Sequence, residues 1–111
     1  MSFKKVTAIF DQLKLVDVEN ALSKNSHIGF TVHSVEGKGA YVNLYSKNAL
    51  SSHIQMDIYT HNLSAHKVAK IIMQAACTHS EDEGLISITD IDELFWIHTQ
   101  KAVSEDELLI E

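Results

Sequence analysis

The chain has 111 residues and a mass of 12.4 kDa, a length typical of one domain. Its residues are 45% hydrophobic and 22% charged, which predicts a folded globule instead of a disordered chain. Its nine basic residues are all lysine, and the net charge is −6. We expect no nucleic-acid partner, because binding to nucleic acid depends on neutralising its phosphates.

Hydropathy and cysteine content bear on the cellular localisation of the protein. No apolar run approaches the length of about 20 residues that a bilayer crossing needs. The first five residues lack the apolar stretch of a secretory signal. The single cysteine, Cys77, cannot form an internal disulfide. These features together predict a cytoplasmic protein.

The first half of the chain has the pattern of a strand, a helix and a second strand. Lys5–Phe10 alternates apolar and polar residues, as a half-buried strand does. A helix follows, with apolar residues three and four positions apart on one face, at Leu15, Val18 and Leu22. Gly29 then opens a second strand over Phe30–Val35, and glycines follow at 37 and 39.

The second half repeats this order. Ile54–Tyr59 is predicted to be a strand, and Ser64 to be the N-cap of the next helix. The buried face of that helix is predicted to consist of Val68, Ile71, Ile72 and Ala75. Gly84 opens a last strand over Leu85–Ile88, in the place that Gly29 has in the first half.

Two such units in tandem predict an α+β fold of the ferredoxin-like type, β-α-β-β-α-β. Two helices should cover one face of a four-stranded antiparallel sheet and leave the other face open. We expect that open face to include apolar residues such as Phe30 and Val32, or the residues that alternate with them. An apolar face left in water favours a homo-oligomer.

Five segments of the sequence, taken in chain order, resemble those of a known family. They are Lys4–Phe10, Gly29–Val32, Val35–Gly39, Ala75–Thr78 and Ile91–Thr99. In this order they resemble the PII family of nitrogen-signalling proteins, in a divergent form, over roughly residues 3 to 103. The resemblance implies a ferredoxin-like PII domain at residues 1–103, with an acidic tail at 104–111. It also implies a homotrimer that regulates a membrane transporter or an enzyme and senses a small-molecule ligand in a cleft between subunits.

The resemblance also implies the residues of that cleft. The ligand-binding positions would be Gly37, Lys38, Gly39, Thr78, Gly84, Trp96 and His98. In the family, basic side chains hold the phosphates of a nucleotide, whereas the matching positions here are Ala40, Leu85, Trp96 and His98. The glutamine that helps to bind 2-oxoglutarate falls at Tyr41, and the nucleotidylated tyrosine falls at Leu50. We therefore expect the usual ATP and 2-oxoglutarate residues to be largely lost, and the sequence names no cofactor.

Several alternatives stay open. Seven histidines allow a second function on the same fold, a CutA-like protein for divalent-metal binding or metal tolerance, with His33 or His98 near a threefold axis. We assign no metal ligand. No nucleophile elbow, P-loop or dinucleotide fingerprint is present, so we assign no catalytic residue and expect no enzyme. Ser104–Glu107 has capping-box spacing, which predicts a short docked helix or a frayed tail.

Overall fold

The computed structural model describes residues 2–24, 29–37, 51–77 and 84–109, and they form two strand–helix–strand units. The elements of the first unit are β1 (Phe3–Asp11), α1 (Leu15–Lys24) and β2 (Thr31–Gly37). Those of the second unit are β3 (Ser51–His61), α2 (Ala65–Ala76) and β4 (Gly84–Ile91). Within the described ranges, no helix combines the length and apolarity needed to span a bilayer.

The four strands form one antiparallel sheet in the order β2-β3-β1-β4. β1 lies in the centre, where Val6 is paired with Ile58 of β3 on one side and with Ile88 of β4 on the other. The strand order and the two helices confirm the predicted ferredoxin-like fold.

The core lies between the sheet and the two helices. Because successive strand residues point to opposite faces, β1 buries Val6, Ala8 and Phe10 on the helix side. The helices bury the periodic residues Val18, Leu22, Val68 and Ile72 against them. The equivalent residues of the two units, Val18 and Val68, are both fully buried, which confirms the predicted internal repeat.

Each first strand of a unit joins its helix through a short 3-10 turn, Gln12–Lys14 in one unit and Asn62–Ser64 in the other. Ser64 occupies the predicted N-cap position of α2, but its side chain makes no capping hydrogen bond. The side chain of His61 accepts the Leu63 N–H at 3.0 Å instead.

The open face of the sheet is more polar than expected. Val32 is paired with the fully buried Met56, and Phe30 packs against the core, so both belong to the helix side. The central rows of the open face carry Thr7 and Asp57, and the Thr7 hydroxyl donates to the Asp57 carboxylate at 2.8 Å. Of the two alternatives left by the sequence, the structure places the residues that alternate with Phe30 and Val32, among them Thr31 and His33, on the open face.

Candidate functional site

The two ends of the sheet differ in what they carry. At the first, here called the glycine end, β1 finishes at Asp11, Gly84 is paired with Phe10, and β2 terminates at Gly37. At the second, here called the tail end, Phe3 is paired with both His61 and Ile91. The candidate site residues divide between these two ends.

Gly84 has a backbone that other residues rarely adopt. Its φ is +131°, and a Cβ atom added there would lie 1.8 Å from the carbonyl oxygen of Ile9. Both the dihedral angle and the close approach to β1 therefore require glycine at this position. Gly29 has no atom within 4 Å of an added Cβ, so the equivalence of the two glycines in sequence does not extend to their backbones.

An apolar cavity of about 280 Å³ adjoins Gly84 at the glycine end. It lies between the last turns of α2 and the strands β1 and β4, and its lining includes Phe10, Ile72, Met73, Ala76 and Leu85. Cys77, which is exposed, also lines it. None of the lining side chains carries a charge, so the cavity suits a small apolar group.

The segment after β4 forms a small hairpin at residues 94–103, here called the arm. Three backbone hydrogen bonds hold it, from Trp96 N to Lys101 O at 2.9 Å, from Gln100 N to Trp96 O at 2.9 Å, and from Val103 N to Leu94 O at 3.0 Å. Gln100 has a φ of 60°, the left-handed conformation that closes the turn. Ile97, near the tip of the arm, is 94% exposed.

Trp96 and His98 lie on the arm with their rings close together. Their ring centroids are 6.0 Å apart and the planes are tilted by 55°. Trp96 remains 37% exposed, so a flat molecule can reach part of its surface. The imidazole beside it can carry a positive charge, which gives this pair an aromatic surface and a polar group.

Residues 104–109 of the acidic tail dock on their own chain at the tail end of the sheet. Residues Glu105–Leu108 form a 3-10 turn, and the Thr60 hydroxyl donates to the Leu108 carbonyl oxygen at 3.2 Å. Ser2 donates its hydroxyl to Glu105, and the His61 Nε2 lies 3.7 Å from the same carboxylate. The Ser2 hydrogen bond, followed by the nearby His61, lowers the pKa of Glu105 below its ordinary value.

The tail also contacts the arm. The indole Nε1–H of Trp96 donates to Glu107 Oε2 at 2.6 Å. Trp96 is a predicted site residue, whereas Glu107 and His61 had no predicted role. The capping-box spacing at Ser104 predicted either a short docked helix or a frayed tail, and the structure shows a 3-10 turn docked on its own chain without a side-chain cap.

The four predicted cleft residues that the structure describes do not come together within one chain. Gly37 and Gly84 lie at the glycine end, whereas Trp96 and His98 follow β4 at the tail end. β1 has nine residues, so at about 3.4 Å per residue the two ends are roughly 25 Å apart. Lys38, Gly39 and Thr78 lie outside the described residues.

Metal-binding side chains are dispersed over the described part of the chain. His33 lies on β2, paired with Gln55, and His98 lies on the arm. Among the described residues, no group of three or more His, Cys, Asp or Glu side chains could hold a metal ion.

Comparison with known proteins gives a consistent result. The family model "Nitrogen regulatory protein P-II" matches residues 3–101. The chain is 27% identical over 106 residues to "Nitrogen regulatory protein P-II 1" of Methanothermobacter thermautotrophicus, covering 88% of this chain and 91% of that protein. The crystal structure of Arabidopsis thaliana PII bound to citrate is similar in fold, with a TM-score of 0.80 and 22% identity over 94% of this chain and 91% of that one. The chain therefore belongs to the P-II family of nitrogen regulatory proteins.

Proposed function

We propose that the protein is a homotrimeric regulator whose clefts form between subunits, where the arm of one chain meets the glycine end of the next. The observation that carries this proposal is the division of the candidate residues. Gly37 and Gly84 lie at one end of the sheet, and Trp96 and His98 lie at the other. A head-to-tail contact repeated three times closes a ring and completes each cleft with residues of two chains.

The side chains proposed for this cleft favour a ligand with little negative charge. Lys38 and His98 are its positively charged or protonatable groups, and Trp96 offers a flat surface. A triphosphate carries about four charges, and each charge-assisted hydrogen bond missing from its site costs about 1.5–3 kcal/mol. Gly37, Gly39 and Thr78 complete the cleft, with backbone N–H groups able to hold a polar group.

The proposed ligands are therefore a nucleoside, a nucleoside monophosphate or a small anion such as bicarbonate. The Arabidopsis relative is described as bound to citrate, so a carboxylate also belongs among the candidates. The ligand-bound trimer would in turn control a membrane transporter or an enzyme in the cytoplasm, as the family resemblance implies.

Light scattering tests the assembly and a thermal-shift screen tests the ligand. Purified protein should have a mass of about three times 12.4 kDa, and a monomer at micromolar concentration would contradict the proposal. The panel should hold adenosine, AMP, ATP, bicarbonate, citrate and 2-oxoglutarate, since a ligand that prefers the folded state raises the melting temperature. Divalent metals in the same panel test the alternative of a metal-binding protein.

A double variant, Lys38→Ala with His98→Ala, identifies the site of any ligand found. It should abolish the thermal shift and leave the trimer mass unchanged. Unchanged binding to this variant would place the ligand elsewhere. The paired control replaces Lys67 and His66 of α2 by alanine, which removes the same two side-chain types from an exposed helix surface.

A further inference from the structure

The residues Ser104–Leu109, here called the strap, use two of their three consecutive acidic side chains. The Glu105 carboxylate accepts a hydrogen bond from the Ser2 hydroxyl, and one of its oxygens lies 3.7 Å from His61 Nε2. The Glu107 carboxylate accepts a hydrogen bond from the Trp96 indole N–H at 2.6 Å. Asp106 lies between them, and its carboxylate makes no hydrogen bond or ion pair within the described residues. The strap thus contacts the sheet through the Glu105 carboxylate and the arm through the Glu107 carboxylate.

Glu107 occupies the hydrogen-bond donor of the Trp96 side chain, its indole N–H. An indole ring has one hydrogen-bond donor, its Nε1–H, and no acceptor. While Glu107 accepts that hydrogen bond, any other molecule that needs the same donor must displace the carboxylate. The Thr60–Leu108 hydrogen bond at 3.2 Å joins the strap to β3, so the strap also connects the arm to its own sheet.

The carboxylate contacts of the strap are at the surface and are therefore reversible, whereas the Thr60–Leu108 hydrogen bond is part-buried. The Glu105 side chain is 60% exposed, although its partner His61 is 10% exposed. Exposed ion pairs contribute little free energy, so a competing ligand or partner of ordinary affinity can replace them. Elements with few buried contacts open more readily than the core, and they are suited to switching.

We propose that the strap is an autoinhibitory element that holds the arm on its own chain through Glu107 and limits access to Trp96. When Glu107 releases the indole, the arm is free to close on the neighbouring subunit. The consequence for the cleft rests on the proposed function, whereas the contact between strap and indole does not. The strap therefore competes with ligands for the Trp96 indole of its own chain.

Trp96 is the single tryptophan of the chain, so its indole N–H gives one resonance in a ¹H–¹⁵N spectrum and its fluorescence has one source. Three full-length variants should be compared with the unmodified protein: Glu107→Ala, Glu107→Gln and Asp106→Ala. Alanine removes the acceptor, and glutamine keeps a neutral amide oxygen in its place. Asp106→Ala is the matched control, because it removes the same charge one residue away.

In Glu107→Ala the indole resonance should move, its N–H should exchange with solvent about two- to tenfold faster, and acrylamide should quench Trp96 more strongly. Glu107→Gln should be intermediate, and Asp106→Ala should match the unmodified protein. If the indole resonance, N–H exchange and quenching were unchanged in Glu107→Ala, or changed equally in Asp106→Ala, the proposed role of the strap would be wrong. Light scattering on the same samples tests the trimer separately, so failure of the proposed function is distinguishable from failure of the strap.

Discussion

Asp11 and His61 occupy equivalent positions in the two units and make the same hydrogen bond. The Asp11 carboxylate accepts the Leu13 N–H at 2.9 Å, and His61 Nδ1 accepts the Leu63 N–H at 3.0 Å. In both cases the acceptor lies two residues before the donor and satisfies an N–H at the start of a 3-10 turn that leads into a helix. Accepting this bond places the proton of a neutral His61 on Nε2, the atom nearest to Glu105.

The first prediction concerns the Asp11 cap. Asp11→Ala should lower the free energy of unfolding by about 1 kcal/mol, because the Leu13 N–H loses its side-chain acceptor. Asp11→Asn keeps an oxygen acceptor and should lose much less. Urea denaturation of both variants measures the difference, and equal losses would show that the hydrogen bond is not the source of the stability.

The second prediction concerns Gly84, whose φ of +131° and close approach to Ile9 exclude a side chain. Gly84→Ala should destabilise the protein by about 2–4 kcal/mol, because the backbone of β4 must shift to relieve both problems. Gly29→Ala is the control, since an added Cβ there has open space within 4 Å. Thermal or urea unfolding compares the two, and similar losses would show that Gly84 carries no special backbone constraint.

The fold was predictable because strand alternation and helical spacing reflect local geometry. Val18 and Val68 repeat at equivalent helix positions, and that repeat alone indicates two similar units. The sequence left open whether Val32 or the residues that alternate with it lie on the open face, because the side that a strand presents depends on its pairing. The register with Met56 is a contact between residues far apart in sequence.

The candidate site was harder to predict because it depends on contacts across the chain. Histidine is uncommon as a cap, so nothing local indicated that the His61 side chain would cap the 3-10 turn before α2. The separation of two residues in the sequence also does not indicate whether they lie at the same end of the sheet. Gly84 and Trp96 are 12 positions apart, yet β4 carries them to opposite ends of the sheet.

The third prediction is a pH dependence of strap docking. The Ser2 hydroxyl and then His61 lower the pKa of Glu105 below its ordinary value of 4.5, so the ionised form favours the docked strap. The contribution is fully present above that value and is lost as the pH falls through the lowered pKa. Ser2→Ala removes the larger cause and should move the midpoint to higher pH. Trp96 fluorescence follows docking, and far-UV circular dichroism separates it from unfolding; equal midpoints would contradict the prediction.

The fourth prediction concerns ATP. Calorimetry should show weak or no ATP binding, and 2-oxoglutarate with magnesium should not strengthen it, because the family resemblance implies that Trp96 and His98 stand where basic side chains would hold the phosphates. Introducing Trp96→Arg and His98→Arg together should tighten ATP binding by at least about tenfold. The control, Ile97→Arg with Thr99→Arg, adds the same charge at the alternate positions of the arm. Equal gains in both pairs would indicate a general charge effect, and low-micromolar affinity of the unmodified protein would contradict the loss of the phosphate site.

The last prediction tests whether each cleft contains residues of two chains. Gly37, which precedes Lys38 in the sequence, lies at the glycine end, and His98 lies on the arm at the tail end. A trimer of Lys38→Ala chains and a trimer of His98→Ala chains should each bind the screened ligand poorly. When the two variants are unfolded together and refolded as mixed trimers, about one cleft in four should combine an intact Lys38 with an intact His98 from the neighbouring chain.

Titration of the mixed sample should therefore restore about a quarter of the unmodified binding capacity with unmodified affinity. The two variants mixed without refolding, so that no subunits exchange, form the control and should show no recovery. If both residues belonged to a cleft within one chain, every cleft in the mixture would lack one of them. Absence of recovery in mixed trimers of confirmed composition would then contradict the shared cleft, because each refolded ring with both variants contains at least one complete junction of arm and glycine end.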